Sequence, residues 1–147
     1  MSDELNQRVV EEAQRRLGQR VGSGECYDFA RTVLQAAGAQ PASHWGPVGP
    51  TADYVWGLGL TSPAEAQPGD ILQMRNVVIT ARVTHPDGSW EETIEEFPHH
   101  TAIVIENMGG GQLRVLHQNF RRQRRVTEHI LRLNDWTQGI IWVYRPA

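Results

Sequence analysis

Apolar residues recur every four positions at the start of the chain, at Leu5, Val9, Ala13 and Leu17, which puts one stripe on one face of a helix. Ser2 is placed to cap that helix, with Asp3 and Glu4 in its first turn. Arg15, Arg16 and Arg20 gather toward its end, where the helix dipole favours cations. Gly22 and Gly24 then break the pattern. Helical spacing resumes over residues 26–37, with Phe29, Val33 and Ala37 facing inward and Gly38 as the stop. Residues 39–67 are rich in Pro, Gly, Ser and Trp. They read as an ordered surface connection that walls a groove, with a short helical turn near residues 54–57.

Beyond that point the pattern changes to short β-branched runs separated by turns. Pro68-Gly69-Asp70 is a turn leading into a strand over residues 71–74. A hairpin is expected from strands 77–84 and 89–97 around His85-Pro86-Asp87-Gly88. A second is expected from strands 100–106 and 113–120 around Met108-Gly109-Gly110-Gly111. Strands over 126–133 and 140–144 complete the set. Helices first and antiparallel strands after predict an α+β domain, two N-terminal helices on a sheet of about five to six strands.

The length, 147 residues, fits one domain spanning 1–147. Hydrophobic residues make up 39% and charged residues 21%, which excludes a disordered chain. The net charge of −3 gives no general reason to expect nucleic acid as a partner. No apolar run reaches the roughly 20 residues of a membrane span. The first residues lack the basic and apolar regions of a signal peptide, so the chain as it stands is expected in the cytoplasm, with secretion or delivery by another route open.

The single cysteine rules out an internal disulfide and a multi-cysteine metal site. His99 beside His100 lacks useful ligand spacing on a strand, so no metal and no cofactor are expected. Cys26 stands where a glycine turn becomes a helix. Unsatisfied N–H groups and the positive end of the dipole there favour thiolate over thiol. Such a nucleophile needs a base and a group to orient that base. Among six histidines, His44 and His85 lie in turns and His129 reads as a solvent-face residue of a strand. If the second hairpin pairs residues summing to about 219, His100 lies close to Asn119, and His117 shares a face with Asn119. His100, His117 and Asn119 then converge on one surface, and His99 points the other way.

Four short motifs in this order resemble a papain-like cysteine hydrolase of the CHAP and NlpC class. They are Gly24-Glu25-Cys26 opening a helix, Pro68-Gly69-Asp70-Ile71-Leu72 opening the sheet, His100-Thr101-Ala102-Ile103-Val104, and His117-Gln118-Asn119. The resemblance implies a papain-like fold, Cys26 as nucleophile and His100 as general base. CHAP domains commonly carry an acid where His117 stands, with the asparagine kept at Asn119; NlpC-like relatives often use a histidine there. Both His117 and Asn119 are therefore candidates to orient His100. The implied activity is hydrolysis of a peptide or amide bond through an acyl-enzyme, with a peptidoglycan-like substrate. The alternatives are a non-catalytic binding module on the same fold, and an acyl transferase or intracellular cysteine peptidase using the same thiol.

Arg121, Arg122, Arg124 and Arg125 form a compact positive cluster, read as a solvated connection or as a rim for an anionic ligand. Trp45, Tyr54 and Trp56 are expected in packing or along the groove. Glu91, Glu92, Glu95 and Glu96 read as charges that keep a strand edge from pairing. Asp70 reads as a turn residue.

Overall fold

A computed structural model describes residues 2–147, and at Ser2 and Asp3 the backbone alone. The expected cap at Ser2 therefore lies outside the described side chains. Helix α1 runs Ser2–Arg15 and buries Val9 and Ala13 completely. Leu17 leaves the expected stripe and is 49% exposed. The helix has ended, and the tighter turns that follow (Arg16 N–H to Ala13, Leu17 N–H to Gln14) break the 3.6-residue phase. That turn docks on the sheet, because Gly18 N–H reaches the Val126 carbonyl and Val126 N–H reaches that of Gln19.

Helix α2 is Cys26–Ala37, as the spacing predicts. It ends in a Schellman arrangement: Gly38 is left-handed (φ 86°), Gly38 N–H reaches Gln35, and Ala39 N–H reaches Leu34. Phe29, Ala30, Val33 and Leu34 are fully buried against the sheet.

In the connection, the one-turn helix α3 is Ala42–Trp45, directly after Pro41. The turn expected near residues 54–57 does not form. Tyr54 and Trp56 are pulled inward instead, where the Trp56 indole donates to the Gln73 side-chain oxygen (3.0 Å) and the Tyr54 hydroxyl to the Gly49 carbonyl (2.8 Å). Burial of two aromatic rings outweighs a weak local turn preference.

The strands are β1 (Leu58–Leu60), β2 (Ile71–Thr84), β3 (Trp90–Gly109), β4 (Gln112–Phe120), β5 (Gln123–Arg132) and β6 (Trp136–Arg145). They form one antiparallel sheet in the order β1-β6-β2-β3-β4-β5. Breaks expected near residues 75–76 and 98–99 are absorbed inside two long strands. Asn76 takes φ 52°, and Pro98, which has no N–H to offer the ladder, lies opposite it. Both strands change inward parity there. Met74 and Val77 share one face, and so do Phe97 and Ala102.

The sheet is buried on both faces. Ile71, Ile103, Ile105, Leu116 and Val126 pack against the helices. Leu72, Met74, Phe97, Ala102, Val104, Leu113 and Val115 form a second core on the other face. Asp70 does more than make a turn. Its buried carboxylate takes the Arg145 guanidinium with both oxygens (3.1 and 3.1 Å), the Asn6 amide (3.0 Å) and Gln67 N–H (2.8 Å).

Candidate active site

The turn before α2 is built for close approach. Gly22 has φ 57°, and a Cβ there would sit 2.7 Å from the Asp28 carboxylate, which receives the Ser23 N–H (2.8 Å) and hydroxyl (2.5 Å). These two bonds hold the Asp28 pKa below its usual range. From β4, the fully buried Gln118 side chain fixes the same turn. It accepts from Val21 N–H (2.8 Å) and donates to the carbonyls of Val21 (2.9 Å) and Glu25 (2.8 Å). Alternation explains the split: Gln118 shares a face with Leu116, toward the helices, while His117 shares one with Val115.

Cys26 opens α2 and is 8% exposed. Burial raises its thiol pKa above the usual value, and the Glu25 charge adds to this. The Thr101 N–H and hydroxyl and the Tyr27 N–H pull the other way and do not overcome burial. The expected thiolate at the helix terminus is thus a thiol at rest, because the helix N–H groups count for less than lost water. The sulfur lies against Thr101, at the point where β4 stops pairing with β3; their last pair is Ala102 with His117. The Thr101 hydroxyl is itself held by Gln73 (2.7 Å). A cleft of about 620 Å³ borders Cys26, walled by Glu25, Tyr27, Pro50, Tyr54 and His99.

The strand sum of 219 holds around the site, in Ala102–His117, Ile103–Leu116 and Val104–Val115. His100 and His117 meet, with His100 Nε2 2.9 Å from His117 Nδ1. Both rings are buried among Phe97 and Phe120, on the face shared with Ala102 and Val115. Burial, then the nearby His129 and His99, lowers the His100 pKa to about 3. Burial, then His100 and His129, lowers that of His117 to about 2. Both rings are neutral near pH 7.

Asn119 does not join them. In a left-handed conformation (φ 65°), it donates to the Glu25 carboxylate (2.9 Å), whose other oxygen meets Arg124 (3.1 Å). His99 points to the other side, as expected, and that side holds the Cys26 cleft; its Nε2–H donates to the Ala52 carbonyl. Among the described residues no hydrogen bond joins Cys26 to a histidine. The thiol and the His100 ring instead flank the same peptide unit, His100–Thr101, from the two sides of β3.

Sequence reasoning missed Gln118, although it stands between two candidates with the opposite parity. It also set His129 aside. His129 stacks on His117 (5.4 Å between centroids, 15° between planes) and meets Glu95 (2.9 Å). The β4–β5 register, His117 opposite Thr127, puts His117 and His129 on one face.

Comparison with known proteins agrees with this architecture. A solved structure described as "The crystal structure of Ly7917 with the hydrolyzing product of MDP" superposes with a TM-score of 0.61 at 21% identity, over 99% of this chain and 63% of that one. A second, "The crystal structure of Ly7917", gives 0.61 at 21% over 95% and 62%. At that identity the likeness is one of fold. "Altered inheritance of mitochondria protein 3" of Debaryomyces hansenii is 30% identical over 148 residues, covering 94% of this chain and 15% of that protein. The chain spans only that small part of this relative's length. The family model for the AIM3/BBC1 cysteine proteinase-fold domain matches residues 1–147, and the chain belongs to that family.

Proposed function

We propose that this domain is a thiol-dependent amide hydrolase of the CHAP/NlpC type, with Cys26 as nucleophile and His99, which lines the same cleft, as base; His100 and His117, the expected base and its partner, are paired in the core on the opposite face of the sheet and do not reach the thiol. The observation that carries the reading is the cleft that Cys26 and His99 line together. With the proton on His99 Nε2, which donates to the Ala52 carbonyl, His99 Nδ1 is left as the base on the Cys26 side of the sheet.

The substrate carbonyl settles in the cleft over Cys26. His99 Nδ1 takes the thiol proton as the sulfur attacks. The Cys26 N–H, with a second donor, holds the oxyanion. The leaving amine collects its proton from His99, and water then releases the acyl group from sulfur. Burial keeps the thiol protonated in the empty site, so proton transfer ahead of attack is uphill. Transfer has to accompany C–S bond formation. A cell-wall peptide amide is the substrate class favoured by the motif resemblance. The neighbour whose description mentions a hydrolysing product of MDP points the same way.

Burial of the thiol favours a second reading, a binding module on the same fold. Incubation of wild type and Cys26→Ala with purified muropeptides and with a peptide library, read by mass spectrometry, separates the two. The hydrolase reading expects new amine and acid termini with wild type and none with Cys26→Ala. It also expects Cys26 alkylation to slow in His99→Ala. No turnover on either set, with alkylation unchanged by His99→Ala, would rule out the hydrolase.

A further inference from the structure

The β4–β5 hairpin turns through only two residues, Arg121 and Arg122, between the paired Phe120 and Gln123. Both are left-handed, with φ 52° and 65°. This is the geometry that Asn and Gly adopt without strain and that arginine adopts only at a cost. Two arginines in such a turn are a local exception that charge, not backbone, explains.

The charge converges. A pocket of about 290 Å³ beside this turn is lined by Gly18, Arg20, Arg122, Gln123, Arg124 and Arg125, with no acidic residue among them. Two of its guanidinium groups are already held in place. Arg20 donates to the Ser23 carbonyl (2.9 Å), and Arg124 donates to the same oxygen (3.3 Å) and meets Glu25 (3.1 Å). Arg121 turns away, over the Phe120 ring (5.0 Å) and toward Glu95 (4.0 Å), and is not part of the pocket. All 14 basic residues of this chain are arginines. The arginine fork matches phosphate oxygens in pairs, which a lysine does not. A solvated hairpin end would need none of this in a chain of net charge −3.

We propose that Arg20, Arg122, Arg124 and Arg125 form a binding pocket for a ligand carrying two or more closely spaced phosphate groups. The pocket adjoins the Ser23–Glu25 turn, whose Ser23 carbonyl holds Arg20 and Arg124 and whose Glu25 lines the Cys26 cleft, and it stands whether or not Cys26 is catalytic. Binding here competes with Glu25 for Arg124, so it also bears on the charge next to the thiol.

The test titrates the 147-residue chain with inorganic pyrophosphate by calorimetry. In parallel, the chain is co-sedimented with phosphatidylcholine vesicles with and without phosphatidylinositol bisphosphate. Each arm is run on wild type, on Arg122→Asn, and on Arg122→Asn with Arg125→Gln. Saturable binding in either arm, weakened at least about tenfold in the double variant, supports the site. The arm that binds tells whether the phosphate is free or lipid-borne. Arg122→Asn should keep or raise the thermal midpoint, because asparagine relieves the turn, so weaker binding there is not loss of fold. Absence of binding in both arms, or binding that the double variant leaves intact, would overturn the proposal.

Discussion

Replacing Gln118 with Leu keeps side-chain volume and removes three hydrogen bonds that tie β4 to the turn before Cys26. Two of them, to the Val21 N–H and carbonyl, are buried; the N–H is left without a partner, while the carbonyl keeps Gly24 N–H (3.0 Å). An orphaned buried group costs about 1–3 kcal/mol. The third bond, to the Glu25 carbonyl, is part-buried and partly recoverable by water. That carbonyl also takes Phe29 N–H (3.3 Å). The sum is about 2–4 kcal/mol, against about 5–15 kcal/mol for a whole domain, so the variant stays folded at room temperature. The midpoint should fall by roughly 4–16 °C at this chain length. Urea unfolding measures the loss directly. Alkylation of Cys26 in the folded state reports the local effect, because a loosened turn exposes a thiol that is 8% accessible in the intact protein. A loss below about 1 kcal/mol with unchanged alkylation would refute the idea that Gln118 holds the nucleophile turn.

Acid should destabilise the protein well above the carboxylate range. His100 and His117 are depressed to about 3 and about 2, so the folded state binds fewer protons than the unfolded chain from about pH 6.5 downward. Stability then falls with pH by up to about 1.4 kcal/mol per unit for each ring, starting near pH 6.5; urea midpoints that stay flat from pH 7 to 5 would contradict this. Asp28, held low by Ser23, adds its own loss only below its ordinary value of 3.8. Asp70→Ala should cost about 3–5 kcal/mol, because it removes one partner of a buried ion pair. A thermal scan showing a shift of only a degree or two would mean that water replaces the carboxylate.

The local elements were legible where one rule dominated. Residues 26–37 carry helical spacing and a glycine stop, and α2 has those bounds. The strand sum of 219 follows from a short glycine turn and from alternation, and it brought His100 to His117 correctly. The α+β class and the papain-like architecture followed from helices preceding strands and from the motif order. Prediction went wrong where a distant contact outweighed a local preference. Leu17 lost its stripe when the chain turned to pair with Val126. Tyr54 and Trp56 went inward instead of forming a turn.

The sequence by itself determined which elements form, in what order, and which side chains share a strand face, because helical and strand periods act over a few residues. Only the tertiary structure decided the protonation of the thiol, the partner of His100 and the role of Gln118. Each depends on how much water is excluded and which backbone groups meet across the sheet. Desolvation is a property of the packed whole: the same Cys26 at the same helix terminus is a thiolate in an open cleft and a thiol beneath one.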